Sequence, residues 1–414
     1  MMRDRVFRIA IRQFGPFESA IRKQWAAFED KESTGLELQA EAFDLQPLTQ
    51  RLFADKGLLS GDWDVAFINT DWVASLHASR EVLDLTGWLA KDAPEGYPEG
   101  WTPSLLRLQE VEGAVLGLPY HDGPECLIYR KDLFEDAGER TRFEAQFGTP
   151  LRVPETWEQF RQVAGFFQRP EQRLYGTVFA GYPDGHNTVY DFLLQLWTRG
   201  GELLDEKARI NFVSPEAEDA LRFYREILSE SGAAHPDCRE MDSVKSGMAF
   251  AAGEVAMMVN WFGFAAMAET IAESRVRGRV DVANVPRGRS GASTSLNIYW
   301  ILSIAAGTPH REIAYRFLDH CAGSAMDRLL TLEGGIGCRK STWADQAVNR
   351  TIPFYNRLEG LHANAREIPR VADWPRIAAA INDLMSGAGG TSRPVADLLQ
   401  DAQVGTVLLA GPSI

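Results

Sequence analysis

The 414-residue chain has little that would place it in a membrane or on a nucleic acid. Its longest apolar stretches, such as Ile298 to Ala306, fall far short of the roughly 20 residues a transmembrane helix needs. The start, MMRDRVFRIAIRQF, has no uninterrupted apolar core and no small-residue cleavage site, so it reads as no signal peptide. The expectation is a chain trimmed of its export leader; the alternative is a protein that is not exported. Basic residues are outnumbered, 43 Lys and Arg against 57 Asp and Glu, for a net charge of −14. A surface of that sign disfavours general binding to nucleic acid or anionic lipid, which relies on basic groups displacing phosphate counterions. The four cysteines, Cys126, Cys238, Cys321 and Cys338, lack CxxC and metal-finger spacing. They are expected to be buried free thiols, with a Cys321–Cys338 disulfide as the alternative in an oxidising compartment. The sequence also lacks HExxH, GxSxG, GxGxxG and P-loop signatures.

What is present is the composition of an ordinary globular protein, 45% hydrophobic and 24% charged, in a chain long enough for two lobes. RVFRIAI alternates apolar residues with period two, and Phe17, Ile21, Trp25 and Phe28 then recur at helical spacing. LELQAEAF reads as a second strand, LQPLTQRLFADKGLL as a helix and DWDVAFIN as a third strand. This β-α-β-α-β order predicts a parallel sheet with right-handed crossovers. Ligands of such sheets sit beyond the carboxyl ends of the strands, which singles out Arg12 to Gly15 and Asn69 to Trp72. Farther on, Thr156 and Gln159 have capping-box spacing, LYGTVFA reads as a strand followed by the loop GYPDGHN, and YDFLLQLWTRGG as a helix closed by Gly200 and Gly201. Pro215 stands at the first turn of another helix.

The most informative stretch is GAVLGLPYHDGPECLIYRKD, Gly113 to Asp132, followed by PETWEQF. An apolar run ends at Pro119, a polar and aromatic patch follows from Tyr120 to Pro124, and a second apolar run leads into YRKDLF. The block resembles the crossing segment of the family 1 extracellular solute-binding proteins, the maltose-binding-protein-like receptors of ABC importers. MAFAAGEVAMMVNWFGFAAM, STSLNIYWILSIAA and REIAYRFLDHC resemble later segments of that family in the same order. The resemblance implies an α/β, two-lobed Venus flytrap fold of the periplasmic-binding-protein kind. Each lobe is then a mainly parallel sheet flanked by helices, with crossing hinge strands and a mainly helical tail. The expected lobes are 1–120 plus 298–335 and 121–297 plus 336–414, hinged near 117–125, 293–301 and 333–339. It implies a periplasmic or extracellular monomer that closes around a carbohydrate or polyol and delivers it to ABC permease transmembrane subunits, with no cofactor and no metal.

A sugar site needs flat aromatic faces and planar polar groups, because a buried hydroxyl without a partner costs about 1–3 kcal/mol. By the resemblance, Asp71 and Trp72 lie where first-lobe acidic and aromatic contacts occur, the alternatives being a helix cap and lobe packing. His121 and Asp122 are crossing-loop candidates, or a solvated turn. Tyr182, Asp184, His186 and Asn187 follow a second-lobe strand, Trp261 and Phe262 form an aromatic loop after the next, and Trp374 is a late aromatic or a core residue. Arg12, Gln13 and Asn297 complete the set. The paired-glycine loop common in relatives is replaced here by STSLNIYW. Two other readings stand beside carbohydrate capture: a saccharide-active α/β enzyme, and a binding protein for a phosphorylated or sulfonated sugar held by Arg12 or His121.

Overall fold

The computed structural model describes residues 5–409 other than 208, 231, 290 and 372. Nine strands carry the two main sheets: β1 (Val6–Arg12), β2 (Glu37–Phe43), β3 (Val65–Asn69), β4 (Leu118–His121), β5 (Glu125–Arg130), β6 (Tyr175–Val178), β7 (Val255–Trp261), β8 (Val280–Ala283) and β9 (Trp300–Ile304). The chain divides into two compact units, residues 5–124, 297–362 and 367–374 in one, and 125–296, 363–366 and 375–409 in the other. It passes between them five times.

The first unit is built on a five-stranded sheet in the order β2-β1-β3-β9-β4. β1 pairs in parallel with β2 and β3, and β9 runs antiparallel to β3 and β4. The helix α1 (Gly15–Glu32) follows β1, and the residues whose spacing predicted its inner face, Phe17, Ile21, Trp25 and Phe28, are all buried. Pro119 does not end the crossing strand as expected but lies inside β4. That position is tolerated because β4 is the edge strand, where a missing ladder donor is least costly. Gly117, just before it, lies against β9: a β-carbon there would sit 2.7 Å from the Leu302 carbonyl oxygen.

The second unit holds a four-stranded sheet in the order β8-β5-β7-β6. Only β6 and β7 are parallel, while β5 pairs antiparallel with both β7 and β8. Pairing is therefore more mixed than strand–helix alternation suggests, since strands entering from the crossings run against their neighbours. α2 (Trp157–Phe167) begins with the predicted capping box of Thr156 and Gln159. It packs so tightly on β6 that a β-carbon at Gly176 would lie 1.9 Å from the Ala164 carbonyl oxygen. α3 (Asn187–Trp197) is buried along its whole length. Phe262, expected in an aromatic loop, instead opens the helix Phe262–Thr270 and is fully buried.

The division also differs from the expected one in the tail. Residues 336–362 and 367–374 belong with the first unit, and 333–339 does not cross. Asp122 N–H donates to the Ile336 carbonyl at 2.9 Å, and Ile336 N–H donates to His121 Nδ1 at 2.9 Å. Asp327 accepts from the Cys338 N–H at 2.7 Å and fastens the same loop from the other side. All four cysteines are buried, with Cys321 and Cys338 standing as separate thiols whose pKa burial raises.

Candidate functional site

In the first unit, most of the polar residues singled out by sequence are occupied by the protein itself. Arg12, at the end of β1, donates to Asp44 Oδ1 at 2.9 Å and to the Phe43 carbonyl at 3.3 Å, while the Gln13 N–H is held by the same carbonyl. Asn69 Oδ1 accepts from the Asp71 N–H, as a cap at the end of β3 does. Asp71 and Trp72 are both buried, and Trp72 packs edge-on against Phe53 and Trp300. The cavity that touches Asp71, between Thr70, Ile298, Ile368 and Arg370, measures about 10 Å³. That is room for at most one water.

His121, partly exposed, packs edge-on against Phe17, ring centroids 4.6 Å apart, with Nδ1 accepting from the Ile336 N–H. Burial lowers its pKa to about 3, against a smaller upward pull from Asp122, so the ring is neutral at physiological pH. It supplies no positive charge for an anionic ligand.

Asp122 and Asn297 belong to a buried chain of hydrogen bonds. His362 Nε2 lies 2.6 Å from Asp122 Oδ2, His362 Nδ1 lies 3.2 Å from Ser104 Oγ, and Asn297 Nδ2 donates to the Ser104 carbonyl at 3.3 Å. Trp343 stacks on the His362 ring at 5.0 Å and 11°. The order Ser, His, Asp is that of a hydrolytic triad. Here it joins places where the chain leaves the unit: Asp122 precedes the first crossing, Asn297 follows the second and His362 precedes the third. Trp374 is buried in this unit too, and its indole N–H has no partner among the described residues.

The second unit presents a different picture. Trp261, the last residue of β7, is partly exposed, and its indole N–H donates to Asn187 Oδ1 at 3.2 Å. Tyr190 meets it edge-on at 5.5 Å, and His186 meets Tyr190 at 5.7 Å. Asp184 holds the turn into α3: Oδ1 accepts from the His186 and Asn187 N–H groups and Oδ2 from the Asn187 side chain. Trp261 on one side and Asp184, His186 and Asn187 on the other come from two loops that the sequence singled out separately. Tyr182 points away from burial, 43% exposed.

Two residues that sequence reasoning missed stand in the same place. Glu125, at the start of β5, is the cross-strand partner of Trp261. Asp191 is one helical turn below Asn187 on α3. Both are buried. Burial pushes Glu125 up to about 8. Asp191 is raised well above the carboxylate range by burial, then by the charges of Glu125 and Asp184. The available signal was a carboxylate in each of two otherwise apolar runs, ECLIY and YDFLLQLW.

This geometry is found in a chain that matches the family model for bacterial extracellular solute-binding proteins over residues 15–327. It is 25% identical to the mannitol-binding protein of Pseudomonas aeruginosa over 78% of this chain and 73% of that protein. Among solved structures it is similar to an ABC transporter solute-binding protein from Agrobacterium radiobacter K84 in complex with ribitol, with a TM-score of 0.86, 25% identity and 98% of each chain covered. T. maritima MalE3 with maltose bound shares the two-lobed fold, with a TM-score of 0.85 at 21% identity over 97% of this chain and 99% of that one. The family match spans well over half of the sequence, and the chain belongs to the bacterial extracellular solute-binding proteins.

Proposed function

We propose that the protein captures an uncharged carbohydrate or polyol outside the cytoplasmic membrane and delivers it to the membrane subunits of an ABC importer. The observation that carries this reading is the Trp261 seat. A partly exposed indole, fixed by Asn187 and braced by Tyr190, lies beside carboxyl groups of the kind that bind hydroxyls. Apolar walls with a few convergent polar groups are what a small-molecule site requires. The mannitol and ribitol named for two relatives support the polyol class.

The five chain passages serve as the hinge in this reading. The receptor releases its ligand unmodified, so incubation with oligosaccharides returns them intact and bound one to one, whereas turnover supports a saccharide-active enzyme. The direct test is a thermal-shift screen over polyols and mono-, di- and oligosaccharides. A ligand at 100 times its Kd stabilises by about 2.7 kcal/mol. A screen in which no uncharged polyol or sugar raises the Tm overturns the proposal.

A further inference from the structure

The carboxyl groups beside Trp261 set the chemistry that the second unit accepts. Four residues close a ring of relations. Trp261 donates to Asn187, Asn187 lies one turn above Asp191 on α3, Asp191 feels the charge of Glu125, and Glu125 faces Trp261 across the β5–β7 ladder. Cross-strand partners share a face of the sheet, and residues four apart share a face of a helix, so these side chains converge. Glu125 is 3% exposed and Asp191 7%, and Glu125 Oε2 and Asp191 Oδ2 have no hydrogen-bond partner among the described residues. A buried carboxyl oxygen left unpaired is expensive, which makes it a strong acceptor or donor for whatever hydroxyl reaches it.

The surroundings are acidic. The charges acting on Asp191 are those of Glu125 and Asp184. The first backbone N–H groups of α3, a ready seat for a phosphate or sulfonate in many proteins, already bind the Asp184 carboxylate. An anion placed here would be buried without a countercharge, which is far more costly than burying a satisfied hydroxyl.

We propose that Glu125 and Asp191 are specificity-determining ligand contacts: they bind hydroxyl groups of an uncharged polyhydroxy solute and, with Asp184 on the helix N-terminus, turn away phosphorylated or sulfonated derivatives. The inference rests on the solute-binding reading above and names the ligand class of that same site. Burial raises the pKa of both carboxyl groups, and the charges of Glu125 and Asp184 raise that of Asp191 further.

The test is calorimetric titration of the full chain with ribitol, D-mannitol, maltose and the phosphate esters of the two polyols, on wild type and on Glu125→Gln and Asp191→Asn. Wild type is expected to bind at least one uncharged member and to bind its phosphate ester at least 100-fold more weakly. Glu125→Gln, nearly isosteric, is expected to weaken the uncharged ligand at least 10-fold and to narrow the gap to the ester, with a Tm showing a folded protein. If Asp191→Asn fails to fold, Glu125→Gln alone decides. Unchanged affinity and discrimination in Glu125→Gln, or tighter binding of an ester by wild type, overturns the assignment while leaving solute capture standing. Failure of every uncharged member to bind wild type overturns the solute reading and the pair with it.

Discussion

The two units hold similar residue types at their strand ends and use them differently. In the first, Arg12 and His121 are held by Asp44 and the backbone, Asp122 and Asn297 each commit one group to the His362–Ser104 chain while their Oδ1 atoms have no partner among the described residues, and the cavity beside Asp71 holds no more than a water. In the second, Trp261 is left partly exposed and the buried Glu125 and Asp191 keep oxygens unpaired. A polar side chain committed to its own chain builds structure, whereas one with spare capacity is free to recognise a solute. The difference lies in what surrounds these groups, a partly exposed indole beside Glu125 against close packing around Asp71, and not in residue type.

The largest expected effect comes from the first unit. His362→Ala leaves the Asp122 carboxylate buried without its partner and is expected to cost about 3–5 kcal/mol of stability, read from denaturant midpoints. A cost below about 1 kcal/mol would make the Ser104–His362–Asp122 chain incidental.

Next is Trp261→Ala, expected to weaken the best uncharged ligand by about 30-fold or more, the roughly 2 kcal/mol of a binding hot spot. Its effect on stability should be smaller than that of His362→Ala, because Trp261 is partly exposed.

The pH dependence gives Glu125 and His121 opposite signs. Glu125 titrates near 8 when folded and near 4.5 when unfolded. The native state therefore holds a proton that the unfolded state has lost between those values, so this group's contribution declines as pH rises through that window, by about 1.4 kcal/mol for each pH unit at most. His121 has the opposite sign. Its folded pKa is near 3 against 6.5 unfolded, so its contribution is lost as pH falls below 6.5. Thermal melts from pH 4 to 9 should show Glu125→Gln flattening the alkaline side and His121→Gln the acid side. A wild-type alkaline slope retained in Glu125→Gln would refute the burial argument for that carboxyl.

The smallest effect is expected at Tyr182, an exposed side chain whose replacement by alanine should change stability by less than about 0.5 kcal/mol and affinity little.

Much of this architecture was legible in the sequence. The period-two run of β1, the buried face of α1 and the capping box at Thr156 follow from local rules and appear as read. Pro119 within β4 and Phe262 inside a helix could not be read that way, since an edge position and a buried helix start are set by neighbours distant in sequence. The tail was placed differently for the same reason: bonds between residues far apart in sequence, such as those of Ile336 with His121 and His362 with Asp122, tie it to the first unit. Trp261, Asn187 and Asp184 were picked out by loop chemistry. Glu125 and Asp191 were hidden because each sits in an apolar run and becomes noticeable only when strand pairing and helix packing bring the two together.

The measurement that bears most directly on the account is calorimetric titration of the tightest-binding uncharged polyol into Trp261→Ala and His121→Gln in parallel. If the second unit carries recognition through spare polar and aromatic capacity, Trp261→Ala loses about 30-fold or more in affinity while His121→Gln binds within a few-fold of wild type. Equal affinity for wild type and Trp261→Ala, with the loss falling on His121→Gln, would contradict it.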